Sequence, residues 1–307
     1  MTVVACIGGL TLDHVRTASA TSGPYPGGNA LYAAVGVALA GGTPLMQAVI
    51  GEDFPEQIMD RLVSAGLDVS GVERVRGPSF HVLLDVASDP RQISYLPTSG
   101  RNDVLDPTPP RRLNASIDAA HIAAIPTQSQ QAWANRLQAD RVPFTLDTVF
   151  IRNEIEPCAE DLLSLAATAT AFMPSVEDLS ALWPGISPHR GAADLSRRTQ
   201  RTVVVTCGAA GAVGCDQGTL VTMPAYPVES VDSTGAGDAY CGAFASAVSQ
   251  GHGLVDAMAL ASACASVVVE SFGAEHGLNE EARRLATSRA AELKKLASEE
   301  PRHAAEF

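Results

Sequence analysis

The sequence predicts an α/β protein of three layers, with a central, mostly parallel sheet and a small β-sheet lid. Short, continuously apolar segments such as Val3–Ile7 and Thr202–Thr206 are typical of strands that helices cover on both faces. These segments alternate with helical segments along most of the chain, and that alternation favours parallel strands. Two segments, 80–86 and 92–96, alternate more in polarity, which suits a sheet with one solvated face.

The periodicity places each element in order along the chain. Strands are predicted at 3–7, 45–50, 80–86, 92–96, 121–125, 144–146, 171–173, 202–206, 211–215 and 219–223. Helices are predicted at 30–40, 55–65, 128–140, 160–167, 176–182, 191–198, 239–250, 254–271 and 279–298. We therefore expect one domain over 1–298, with lid segments at about 10–26 and 79–95, and a frayed tail at 299–307.

Composition excludes several classes of function. The 307 residues carry a net charge of −13 without a basic run, which argues against a nucleic-acid partner or an anionic membrane surface. No apolar run reaches the length of a membrane span. The six cysteines form no C-x-x-C pair, which predicts reduced thiols in a cytoplasmic protein and neither a zinc site nor a disulfide frame.

The most informative segment is Asp232-Ser233-Thr234-Gly235-Ala236-Gly237-Asp238, followed directly by a small-residue helix. Its glycines allow backbone N–H groups to converge at a helix N-terminus, where the unpaired donors and the helix dipole favour an anion. Asp238 would lie beside that anion, and a carboxylate there suits a base that deprotonates an attacking hydroxyl. The alternative interpretation is a glycine-rich loop with an acidic first helical turn.

Two other phosphate-binding motifs are absent. The sequence contains no G-x-x-x-x-G-K-[ST], so a P-loop protein is excluded. No G-x-G-x-x-G follows the first strand, which leaves a Rossmann oxidoreductase with little support. The phosphate-binding segment lies late in the chain instead.

These segments together resemble the PfkB (ribokinase-like) family of ATP-dependent carbohydrate and nucleoside kinases. The segment 232–238 resembles the C-terminal signature of the family, and Gly27-Gly28 before a small-residue helix resembles the N-terminal one. Two further blocks, 51–55 with 65–69 and 206–211, resemble family segments, the second of which lines the ATP site. The resemblance runs from the first strand to about Gly277 and implies ATP and Mg²⁺ as cofactors.

The resemblance also implies roles for individual residues. Asp238 would be the catalytic base, and the backbone of Gly235, Ala236, Gly237 and Asp238 would form an anion hole. The acceptor would contact Asp13, Gly28, Asn29 and Tyr32, and the nucleotide would contact Thr206, Gly208, Gly211 and Thr234. Asp178 would help to hold Mg²⁺, with Glu177 as the alternative acid, and Asp232 would help to hold a monovalent cation such as K⁺.

Three positions depart from the family pattern. Ser175 stands where an Asn-x-x-Glu motif usually begins, and Tyr32 stands where many relatives carry an Asn that touches sugar. Ala124 occupies the place of the Glu that precedes an Ile-Pro in ribokinases, which argues against ribose as the acceptor. The histidines His14 and His81 are predicted to be structural or lid-lining, and so is His121, without a metal role.

The sequence thus predicts a kinase that phosphorylates a hydroxymethyl group of a small sugar. A nucleoside kinase of the same fold and a non-catalytic protein that senses a sugar or nucleotide are the alternatives. The resemblance further implies a homodimer formed through the lid sheets.

Overall fold

The computed structural model describes residues 1–85, 108, 116–148 and 159–301, together with the backbone of the strand at 92–95. Its helices are α1 Asn29–Leu39, α2 Glu56–Ser64, α3 Thr127–Ala139, α4 Ala159–Ala166, α5 Val176–Leu182, α6 Pro188–Thr199, α7 Ala236–Ser249, α8 Leu254–Val268 and α9 Glu280–Leu293. Its strands are β1 Val3–Ile7, β2 Thr11–Arg16, β3 Thr21–Gly27, β4 Thr43–Ile50, β5 Asp68–Arg74, β6 Phe80–Asp85, β7 Gln92–Tyr95, β8 Ala119–Ile122, β9 Phe144–Leu146, β10 Ala171–Phe172, β11 Thr202–Thr206, β12 Ala212–Asp216, β13 Thr219–Met223 and β14 Ser298–Pro301.

The large sheet has ten strands in the order β14-β13-β12-β11-β10-β9-β8-β1-β4-β5. All neighbours from β11 to β5 pair in parallel, and β12, β13 and β14 add an antiparallel edge. The predicted mostly parallel sheet is therefore confirmed. The parallel strand β5 was not predicted, because its side chains alternate little in polarity and none of them is fully buried.

Helices cover both faces of this sheet. Along β1, Val4 and Cys6 belong to one hydrophobic cluster while Ala5 and Ile7 belong to the other, as the two-residue repeat of a strand requires. The first cluster draws on α1, α2, α7, α8 and α9, and the second on α3, α4, α5 and α6. The result is the three-layer arrangement that the sequence predicts.

The second sheet is small and separate, with the order β3-β2-β6-β7. It consists of the two predicted lid segments: β2 and β3 form one antiparallel hairpin, and β6 and β7 form another. The hairpins join through the parallel pair β2–β6. Phe80, Val82 and Leu84 alternate along β6 and are buried with Val15 beside them, which accounts for the alternation in the sequence.

Helices α1 and α7 pack very closely against each other. A Cβ added at Gly36 would lie 2.0 Å from the carbonyl oxygen of Ala239, and one at Gly242 would lie 2.0 Å from that of Ala33. The two backbones can approach this closely only because both positions are glycine. The small residues of these helices therefore fix the position of α7 and of the loop that precedes it.

The C-terminal segment differs from the predicted frayed tail. Ser298–Pro301 forms β14 and pairs with β13, with Ser298 opposite Thr222 and Pro301 opposite Thr219. The physical reason is that β13 would otherwise present an unpaired edge, to which the backbone can bond whatever its side chains. Residues 302–307 lie outside the described residues. In the part of the chain that the structure describes, no helix is both long and apolar enough to span a bilayer.

Candidate active site

The loop that enters α7 turns at Gly235. This residue caps the helix with a φ of 72°, a left-handed conformation that favours glycine. A Cβ at Gly235 would lie 2.0 Å from Cγ of Tyr32 in α1, so the turn also rests directly on that aromatic ring. The two predicted signature segments are thus in contact. Tyr32, a predicted acceptor residue, is only 4% exposed, and its ring packs against the turn at Gly235.

The predicted anion hole lies at the first turn of α7. The N–H of Ala236 donates to the Ser233 carbonyl over 3.3 Å, and the carboxylate of Asp238 accepts its own N–H. Gly237 is exposed, and a Cβ there would have no heavy atom within 4 Å. The space at Gly237 can therefore admit a ligand next to the helix N-terminus.

Asp238 occupies the third position of this helix and is partly buried. Burial raises the pKa of its carboxyl to about 7, and the hydrogen bond from its own N–H opposes that rise. A carboxyl with a pKa near the working pH combines a useful ionised fraction with a strong tendency to accept a proton. These are the properties of a general base.

Asp147 is the acid that sequence reasoning missed. It follows β9 directly, its Oδ1 accepts the N–H of Thr148 at 2.7 Å, and its carbonyl accepts Gln130 Nε2 at 2.8 Å. Burial raises the pKa of Asp147 well above its usual range, and the charges of Asp238 and then Asp178 raise it further. The available signal was the position of an acid at the carboxyl end of a parallel strand, where ligand sites of α/β sheets lie.

These three carboxylates, Asp147, Asp178 and Asp238, form one electrostatic cluster. Burial disfavours ionisation of all three, the charges of Asp238 and Asp178 also disfavour ionisation of Asp147, and a divalent cation would reverse both effects. Carboxylate oxygens are the ligands that Mg²⁺ prefers. The donor set therefore fits Mg²⁺.

Asp178 also takes part in the capping box that begins helix α5. Its Oδ2 accepts both the N–H and the hydroxyl of Ser175, at 2.9 and 2.7 Å, while Ser175 Oγ accepts the N–H of Asp178. This capping box begins α5 and explains why a serine suits the position where relatives carry Asn. Ser175 also forms a parallel bridge with Thr206, which brings the predicted metal ligand next to the predicted nucleotide strand.

The predicted nucleotide residues lie around the end of β11. Thr206 ends that strand, and Gly208 begins a short helical turn with open space on its Cβ side. Gly211 packs so closely on the end of β13 that a Cβ would lie 2.1 Å from the carbonyl oxygen of Met223. Gly211 therefore shapes the turn, whereas Gly208 leaves room for a ligand.

Asp232 and Thr234 organise the loop before α7. The buried carboxylate of Asp232 accepts the N–H of Thr234 at 2.8 Å, and the N–H of Asp232 donates to the carbonyl of Val269 at 3.1 Å. The Thr234 hydroxyl is buried and has no hydrogen-bond partner within the described residues. A buried polar atom of this kind indicates a position where a bound ligand would supply the partner.

The predicted acceptor residues lie where the lid meets the large sheet. Asp13 on β2 is buried, and its Oδ1 accepts the hydroxyl of Thr11 at 2.6 Å. Asn29 accepts the N–H of Gly9 at 2.7 Å and donates to the carbonyl of Ala124 at 2.8 Å. Gly28 caps α1 with a φ of 100°. Asn29 thus fastens two loops around the start of α1.

Two histidines of the lid contact each other, and His81 also contacts the large domain. His14 Nε2 lies 2.9 Å from His81 Nδ1, and their rings stack with centroids 5.2 Å apart. His81 Nε2 in turn lies 3.1 Å from Asp53 Oδ2, in the loop after β4. His14 thus links β2 to β6 within the lid, and His81 links the lid to the loop after β4.

Comparison with known proteins agrees with this fold. The model of the pfkB family carbohydrate kinases matches residues 1–281. A cytidine kinase of Thermococcus kodakarensis is 28% identical over 276 residues, which cover 87% of this chain and 96% of that protein. A ribokinase of Bacillus subtilis is 27% identical over 82% of this chain and 84% of its own length.

A crystal structure of an E. coli protein in complex with ATP and Mg²⁺ has the same fold. It covers 94% of this chain and 100% of its own, with a TM-score of 0.77 and 20% identity. Because the family model spans most of the sequence, the chain belongs to the pfkB family of carbohydrate kinases. It is a phosphotransferase with an alcohol group as acceptor, of a family whose members phosphorylate sugars and nucleosides and use ATP with Mg²⁺.

Proposed function

We propose that this protein transfers the γ-phosphoryl group of MgATP to a hydroxymethyl group of a small carbohydrate, with Asp238 as the general base. The observation that carries the proposal is the environment of Asp238. Its carboxyl is partly buried at the start of α7, its pKa is raised to about 7, and open space adjoins it at Gly237. A base, an anion-binding helix end and room for a phosphoryl group therefore coincide.

In the proposed reaction, the acceptor lies between the lid and the large sheet, held by Asp13 and by the loops that Asn29 fastens. Asp238 takes the proton of the attacking hydroxyl as that oxygen bonds to phosphorus. The N–H groups at the Gly235 turn stabilise the charge on the transferred group. Mg²⁺, held by Asp178 and Asp147, would neutralise charge on the phosphates when bound.

The lid would exclude water, which is otherwise a competing phosphoryl acceptor. Asp13 lies on β2 and Gly28 directly follows β3, so both belong to or adjoin the first lid hairpin, and closing the lid would also order these acceptor residues. We propose K⁺ at Asp232 as an activator. A fall in turnover when K⁺ is replaced by Li⁺ supports this role, and unchanged turnover contradicts it.

A nucleoside is the second candidate acceptor. The Thermococcus relative is described as a cytidine kinase, and 96% of its length aligns with this chain. Ala124 presents a methyl group where ribokinases carry a carboxylate, which favours an acceptor other than free ribose. The two candidates share the same base and the same transferred group and differ only in what fills the space under the lid.

The test is ADP release from MgATP across pentoses, hexoses, sugar acids and nucleosides, with Asp238→Asn as the control. We expect one acceptor class to support turnover that the variant loses. The best acceptor then separates the sugar from the nucleoside proposal. Turnover that survives in the variant refutes Asp238 as the base, and ATP binding without turnover on any acceptor favours the sensing alternative.

A further inference from the structure

Three side chains come close together near Asp238. The proposed reaction does not require them to act together. A ring nitrogen of His121, a carboxylate oxygen of Asp147 and the sulfur of Cys241 all lie within 4.8 Å of one another. They come from β8, from the residue after β9 and from the second turn of α7. Neither their spacing in the sequence nor any motif brings them together; the sheet and the packing of α7 do.

His121 carries a nitrogen that lacks a partner. Its Nδ1 lies 2.9 Å from the hydroxyl of Thr145, whereas its Nε2 is buried without a hydrogen-bond partner among the described residues. Burial lowers the pKa of His121 to about 3, so the ring is neutral. When Nδ1 donates to Thr145, Nε2 carries a lone pair, and this is how proteins orient a histidine that binds a metal.

Cys241 and Asp147 supply the other two ligand atoms of the cluster. Cys241 is a free, buried thiol, and a divalent ion would bind its sulfur as a thiolate, because a coordinated thiol loses its proton. Asp147 is only partly buried, so an ion can enter from the cleft while the other two ligands stay covered.

We propose that His121, Asp147 and Cys241 form a binding site for Zn²⁺, or another thiophilic divalent cation, with a fourth position open to the cleft. One sulfur, one nitrogen and one oxygen ligand are a zinc donor set, whereas Mg²⁺ accepts only the oxygen. Because the three atoms lie within 4.8 Å of one another, zinc–ligand distances of about 2.0–2.3 Å can be reached by shifts of about 1 Å or less. The proposal departs from the sequence-based expectation that His121 has no metal role.

The test is Co²⁺ titration of the metal-free protein without added Mg²⁺. We expect a thiolate-to-Co²⁺ charge-transfer band that saturates at one equivalent and disappears when Zn²⁺ is added. Cys241→Ser should lose the band, and Cys264→Ser should keep it, because Cys264 is an equally buried thiol on the neighbouring helix α8. No band in the unaltered protein, or a band that persists in Cys241→Ser, overturns the proposal.

A second measurement does not depend on the serine variant. Zn²⁺ should raise the melting temperature of the unaltered protein, because an ion that binds only the folded state stabilises it. His121→Gln keeps a polar side chain at this position and should weaken Zn²⁺ binding by about tenfold or more. Equal Zn²⁺ affinity in the two proteins would refute the assignment of His121 as a ligand.

Discussion

Asp238→Asn should stabilise the ligand-free protein, and increasingly so as the pH rises. Burial raises the pKa of the Asp238 carboxyl from 3.8 to about 7, so the folded state binds this proton more tightly than the unfolded state does. The stability that the proton contributes is complete below pH 3.8 and is lost as the pH rises to about 7. Asparagine has no proton to lose, so its variant avoids this loss.

The magnitude follows from the two pKa values. Each factor of ten in the protonation equilibrium corresponds to about 1.36 kcal/mol, so the gap between 3.8 and about 7 corresponds to about 4 kcal/mol. At roughly 2 °C per kcal/mol for a chain of this length, the variant should melt about 8 °C above the unaltered protein at pH 8. At pH 4 the two melting temperatures should nearly coincide.

Thermal unfolding followed by circular dichroism between pH 4 and pH 8 measures this difference. Asp60→Asn, at an exposed position on α2, is the matched control and should follow the unaltered protein throughout. Turnover should show the opposite trend, rising with pH through about 7 in the unaltered protein and absent in Asp238→Asn. A constant difference in melting temperature at all pH values would refute the reasoning, because it would mean that Asp238 is not held in a costly ionised state.

Three further predictions test the surroundings of the base. Gly235→Ala should cost roughly 2–4 kcal/mol in the free energy of unfolding, because its Cβ would meet Tyr32 at a positive φ. Gly237→Ala is the control: it should leave chemical denaturation nearly unchanged but lower kcat, and equal stability of both variants would contradict this account. Asn29→Ala should cost about 1–3 kcal/mol in the same assay through two lost hydrogen bonds, and no cost would show that the loops hold without it. Burial and the charge of His81 lower the pKa of His14, so protonation of His14 should destabilise the folded protein as the pH falls below 6.5. His14→Gln should therefore reduce the fall in melting temperature below pH 6.5. An unchanged fall would exclude His14 as its cause.

Most of the layer architecture could be predicted from the sequence because its physical causes are local. Continuous apolar strands such as β11 and small-residue helices such as α7 carry their signal within a few residues. The strand β14 carried no such signal, since its acidic residues pair only because β13 offers an open edge. The unpredicted β5 is likewise a polar strand at the opposite edge of the sheet.

The candidate active site was likewise only partly predictable from the sequence. The turn in segment 232–238 and the start of α7 could be predicted, since glycine conformation and helix ends are local properties. The support of that turn by Tyr32 could not, because it depends on how closely α1 approaches α7. The sequence marks Ser175 as a departure from the Asn of the family pattern, whereas its capping box with Asp178 is evident only from the hydrogen bonds.

One feature of the packing links catalysis and metal binding. Because Gly36 and Gly242 let α1 and α7 pack backbone to backbone, the start of α7 is held firmly against the ends of β8 and β9. This position buries Asp238 enough to raise its pKa and sets Cys241, one turn further along α7, beside His121 and Asp147. The burial that raises the pKa of Asp238 therefore also places this acid near Asp147, where the charges of Asp238 and Asp178 disfavour ionisation and a bound cation would offset that repulsion. Mg²⁺ can do so from the cleft through oxygen ligands, and Zn²⁺ can do so from beneath through sulfur and nitrogen, so the two ions would compete for Asp147.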